Sequence, residues 1–164
     1  MKTRYFITVL MAMLLISGST MAQKGKKNFK CANLKGVWQM CFYASESPEL
    51  PAELRPGNTF KLLSEDGYII NFTVIPNKGA VMTGYGKYRQ VAENVYHESI
   101  ERSIHLPMLN NAVNALEFEI KEDKYLQLKF YIEKDEYGNV IDTWYHEVWT
   151  RVEMPEEYPD GLIR

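Results

Sequence analysis

The sequence predicts an all-β fold, an eight-stranded antiparallel up-and-down barrel. Three observations lead there. Apolar residues recur with period two and not with a helical period. Aromatic and β-branched residues are dense along those stretches. The links between them are too short for crossover helices, so consecutive strands must be antiparallel neighbours.

Before the first strand comes a different kind of segment. Lys2 and Arg4 form a basic start, Tyr5 to Ile16 is apolar, and the small residues Ser17 to Ala22 follow. The apolar run is shorter than a membrane span requires. The pattern reads as a signal peptide over 1–22, cleaved after Ala22, and predicts an exported, periplasmic or extracellular protein. An uncleaved anchor helix is the alternative. A lipoprotein would need a cysteine at the cleavage point, and the first cysteine is Cys31. Residues 23–33 read as a flexible lead-in, 34–152 as the barrel and 153–164 as a tail.

The strands are expected at 34–43 (β1), 58–63 (β2), 68–75 (β3), 82–90 (β4), 94–104 (β5), 114–121 (β6), 125–133 (β7) and 141–152 (β8). Alternation assigns an inward face to each. In β1 it is Leu34, Trp38, Met40 and Phe42; in β2, Phe60 and Leu62; in β3, Tyr68, Ile70, Phe72 and Val74. In β6 it is Leu116, Phe118 and Ile120, and in β7 Leu126, Leu128, Phe130 and Ile132. Three links are tight: Ser64-Glu65-Asp66-Gly67, Val91-Ala92-Glu93-Asn94 and Glu122-Asp123-Lys124. The other four read as longer, and long and short alternate. One end should therefore be closed by hairpins and the other ringed by loops, with the proline-rich β1–β2 link as a lid. Closing the barrel removes its edges, and eight strands suffice to hold one small ligand. An open meander or a sandwich is the competing architecture.

Composition excludes some functions. The formal net charge is −2 over 164 residues. The only basic cluster, Lys24-Gly25-Lys26-Lys27, lies in the lead-in, so nucleic acid is not expected as a partner. Export permits a disulfide. Yet Cys41 would sit on the order of 20 Å along β1 from its start, with Cys31 just before it, so two unpaired thiols are expected.

Gly36-x-Trp38 opens the first strand and Arg151 ends the last. Both belong at the hairpin end, where β1 and β8 meet. A tryptophan there plugs the base, an arginine can lie over its ring, and Gly36 lets the strand bend. This arrangement resembles the structural pair of lipocalins and related calycin barrels. It is closer to a bacterial secreted lipocalin-like family of unknown function. The resemblance rests on Leu34-Lys35-Gly36-Val37-Trp38-Gln39, Gly86-Lys87-Tyr88, Tyr96-His97-Glu98 and Glu147-Val148-Trp149-Thr150-Arg151. It implies a carrier or binding fold and no particular substrate. The long helix that follows the barrel in animal lipocalins is missing.

Inward polar side chains give the candidate ligand site: Tyr68, Tyr88, Tyr96, Glu98, Tyr145, Glu147 and Trp149. Buried carboxylates must be paired or protonated. Either they contact a ligand or they form a self-satisfied Glu–Arg–Tyr network with Arg151 as its cation. Glu98 and Glu147 could in principle act as acid and base. The sequence has no phosphate loop and no nucleophile elbow. His97, His105 and His146 are scattered. No enzymatic activity, catalytic residue, metal or cofactor is expected. Two functions remain: a monomeric binder of a small, partly apolar molecule at the barrel mouth, or a filled barrel whose loops engage a protein partner.

Overall fold

The structure, a computed structural model, describes residues 29–44 and 53–157. Its eight strands are β1 (Gly36–Ala44), β2 (Glu53–Leu63), β3 (Tyr68–Ile75), β4 (Gly79–Ala92), β5 (Val95–Ser103), β6 (Ala112–Lys121), β7 (Tyr125–Lys134) and β8 (Val140–Arg151). Every neighbouring pair is antiparallel, and β8 pairs with β1 to close the barrel in sequence order. The fold class read from the sequence is the fold observed. No helix among the described residues is long and apolar enough to cross a membrane. Both cysteines are free, Cys31 exposed and Cys41 buried.

The links differ from expectation in two places. β2 starts at Glu53, and Leu54 pairs with Tyr43 on β1, so residues 53–57 are strand and not lid. Pro48, Leu50 and Pro51 lie outside the described residues. The β3–β4 link is only residues 76–78, because Asn77 takes a positive φ of 61° and the strand resumes at Gly79. Among the described residues, the β5–β6 link covers the mouth. It contains a short 3-10 turn, Pro107–Leu109, and places Leu106, Met108 and Leu109 against the core. Ser103 and Asn110 pin it: Leu106 N–H donates to Ser103 Oγ, and Ser103 N–H donates to Asn110 Oδ1.

The inward faces follow the expected alternation on β5, β6 and β7. On β2 and β3 they are reversed. Lys61 and Leu63 are buried on β2, and Ile69 on β3, while Phe60 and Phe72 stack outside at 5.1 Å between centroids. A one-residue change of parity turns every side chain of a strand to the other face. On β1, a bulge between Gln39 and Cys41 has the same effect: Cys41 is buried and Phe42 is 53% exposed.

The apolar core fills the hairpin end. Trp38, Leu63, Ile69, Tyr96, Leu116 and Leu126 are each 1% exposed or less. Trp38 Nε1–H donates to Leu34 O at 2.8 Å. The Arg151 guanidinium lies 4.1 Å from the Trp38 ring centre and donates to three carbonyls, of Asp123, Lys35 and Asn33, at 2.7–2.9 Å. Gly36 has φ +133°, and a Cβ there would come within 2.9 Å of Arg151 Nη1. Only glycine meets both conditions without strain. Gly86 serves a second close approach, since a Cβ on it would collide with Ser99 O across the β4–β5 pair.

Candidate functional site

Above this core the barrel encloses a cavity of about 310 Å³, reaching toward the β5–β6 link. Its floor and walls come from all eight strands. Met40 is on β1, Thr59 and Lys61 on β2, Asn71 on β3, and Thr83 on β4. Glu98 and Ile100 are on β5, Asn114 and Leu116 on β6, Phe130 on β7, and Tyr145, Glu147 and Trp149 on β8. Ser103, His105, Leu106 and Leu109 line it from the mouth. The mixture is apolar surface with convergent polar groups, the usual composition of a small-molecule site. The room exists because Phe60 and Phe72 point outward and leave Thr59, Lys61, Asn71 and Thr73 facing in.

One buried ion pair sets the electrostatics. Lys61 Nζ donates to Glu98 Oε1 at 2.7 Å, with both side chains about 5% exposed. The same oxygen accepts from Tyr96 Oη at 2.8 Å. The Lys61 ammonium also stands 5.0 Å from the centre of the Trp149 ring. Complete burial, then the charge and hydrogen bond of Glu98, hold the Tyr96 phenol well above its ordinary pKa, so it stays protonated as a donor. Glu98 Oε1 thus carries both an ion pair and a phenol hydrogen bond within the protein.

Glu147 has no such ion pair. Its Oε2 accepts from Trp149 Nε1–H at 2.9 Å, and the residue lines the cavity. Burial pushes its carboxyl pKa up, with Glu98 adding to the rise; the Lys61 charge and the Trp149 bond oppose it. On the opposite wall, Asn71 Oδ1 and Thr83 Oγ1 are buried without a hydrogen-bond partner among the described residues. Their positions have a local cause. Asn71 pairs with Gly84 and Phe72 with Met82, so Thr83 is the extra residue of a bulge that aims it inward.

Of the seven side chains expected at the site, Glu98, Tyr145, Glu147 and Trp149 line the cavity. Tyr96 lies beneath it, bonded to Glu98. Tyr88 is lower still, its hydroxyl donating to Ser64 O at 2.8 Å and its ring edge-on to Tyr96. Tyr68 is a correction: it is 47% exposed on the outer face with Lys87 Nζ 5.5 Å from its ring centre, because β3 turns its other face inward. The self-satisfied network with Arg151 as its cation is also corrected, since Arg151 spends its donors on backbone carbonyls at the base and the cation beside Glu98 is Lys61. Sequence reasoning missed Lys61, Asn71, Thr83 and Asn114. Lys61 carried a signal: it lies between Phe60 and Leu62, and a lone charge in an apolar strand asks for a partner.

Among the described residues, no three His, Cys, Asp or Glu side chains cluster as metal ligands would. No curated protein matches the chain. Residues 33–160 match a domain of unknown function, DUF4488, over the whole barrel, and the chain belongs to that family.

Proposed function

We propose that this is an exported, lipocalin-like carrier that holds one small, partly apolar molecule inside the barrel. The observation that carries the reading is the cavity itself, about 310 Å³ with Asn71 Oδ1 and Thr83 Oγ1 buried in its wall and unpartnered. Unsatisfied buried polar atoms cost about 1–3 kcal/mol each, a cost that a bound ligand can relieve. At roughly 30 Å³ per water, there is room for on the order of ten water-sized groups. The activity is binding and not catalysis. The basic start, apolar run and small-residue stretch of residues 1–22 support export and cleavage before residue 23. A filled barrel acting only through its loops is the weaker reading, since the interior has room and the β5–β6 link is packed inward.

Native mass spectrometry of the protein purified from its own cells tests this. The expected spectrum shows the chain beginning at Gln23 with an additional small-molecule mass that is lost on gentle activation. A bare chain that also binds no apolar probe, while retaining a protein in a pull-down, would replace this reading with that of an interaction module.

A further inference from the structure

The charges that line the cavity do not balance. Lys61 is held by Glu98, which also has Tyr96. That leaves Glu147 with one neutral donor, Trp149 Nε1–H, and a share of the Lys61 charge but no ion pair of its own. His105 is the other titratable cation former on the lining, and it sits exposed at the mouth. A buried carboxylate without a dedicated cation is costly, and a ligand that brings one relieves the cost. Beside Glu147, on β7 and β8, Phe130 and Tyr145 stack at 5.4 Å between ring centres and give an aromatic flank to the cavity. Across from Glu147, Thr83 is 5% exposed with its hydroxyl unpartnered, next to the free Asn71 Oδ1. A ligand hydroxyl can accept from the first and donate to the second at once.

We propose that the cavity takes a small aromatic amine carrying a hydroxyl at its far end. Its ammonium binds Glu147, its ring lies along Phe130 and Tyr145, and its hydroxyl completes Thr83 and Asn71. This rests on the ligand-binding reading above and names the ligand class for the same cavity. The assignment is directional. A carboxylate ligand would meet Glu147 as a like charge, and the one lysine of the lining, Lys61, already faces two carboxylates, Glu98 and Glu147.

The test is calorimetric titration of the chain from Gln23 with four probes of one shape. Tyramine has both groups, phenethylamine lacks the hydroxyl, para-ethylphenol lacks the amine, and phloretate replaces the amine by a carboxylate. Tyramine should bind about tenfold tighter than either single-group probe, since each lost contact is a charge-assisted or otherwise unsatisfied hydrogen bond. Phloretate should bind weakest. Glu147→Gln should make tyramine and para-ethylphenol equal, and Thr83→Val should bring tyramine down toward phenethylamine. Phloretate binding as well as tyramine would overturn the amine assignment and leave the carrier reading standing. Binding by none of the four would overturn it too, and the co-purified mass would then decide whether the carrier reading falls with it.

Discussion

The two ends of this barrel solve the same problem differently. At the hairpin end, Trp38 and Arg151 bring four nitrogen donors into a crowded place, and the protein's own backbone meets them through Leu34, Lys35, Asn33 and Asp123. A few residues higher, Asn71 Oδ1 and Thr83 Oγ1 are buried and Glu147 is half-buried, and the fold offers them little. The base is finished by folding. The cavity wall is left unfinished, in a protein whose margin of stability is only about 5–15 kcal/mol. The difference teaches where to look for function: in the polar atoms that the fold has buried and then not used.

The base should therefore behave as pure structure. Trp38→Ala should destabilise by about 3–5 kcal/mol in denaturant unfolding. Arg151→Ala should cost less, about 1–3 kcal/mol, through lost stacking and unpaired carbonyls. Because the two side chains touch, the double variant should lose less than the sum of the singles. Strict additivity would break the closed base into independent parts. Neither change should alter which small molecules bind.

The ion pair beneath the cavity separates structural from ligand-directed charge. Lys61→Met strands Glu98 in the interior and should cost about 3–5 kcal/mol. Adding Glu98→Gln should recover most of that loss, since it removes the stranded charge. Failure of the second change to recover stability would mean that Glu98 has a cation other than Lys61.

The same contrast explains how much of the molecule could be read from its sequence. Closure, strand order and the meeting of Trp38 with Arg151 follow from alternation and turn residues, and β6 and β7 read correctly because their apolar faces point into the apolar core. β2 and β3 read backwards. There the outer face carries Phe60, Leu62, Ile70 and Phe72, and the inner face carries Thr59, Lys61, Asn71 and Thr73. Hydrophobic alternation reports which face is apolar, and this equals the inward face only where the interior is apolar. Over the cavity it is not. The reading failed at the place where the polar lining of the candidate site lies. The expected lid was corrected only in part: its residues 53–57 are strand, and Leu106 and Leu109 of the β5–β6 link, whose place at the cavity the sequence did not signal, line the cavity.

A smaller effect distinguishes Glu147 from Glu98. Burial raises the folded-state pKa of Glu147 above its ordinary 4.5. The native state then holds a proton that the unfolded state has released. Stability should fall as pH rises from that ordinary value through the raised one, and stay flat beyond it. Lys61, Glu98, His105 and Tyr145 share the cavity with it. Glu147→Gln should abolish this decline, so the variant gains over the parent near neutral pH and not in acid. Equilibrium unfolding at several pH values reads the difference. A variant that loses stability at neutral pH would show that Glu147 has a cation after all.

The most direct measurement is the smallest in size: equilibrium unfolding of ligand-free Thr83→Val beside the ligand-free parent. Valine keeps the shape of threonine and puts a methyl group in place of the hydroxyl. If that hydroxyl is buried and unused by the fold, its removal should leave stability unchanged or raise it by about 1 kcal/mol, although the substitution deletes a polar atom from the cavity wall. A loss of about 1 kcal/mol or more would mean that the fold itself uses Thr83 Oγ1, and the contrast between a finished base and an unfinished cavity would be wrong.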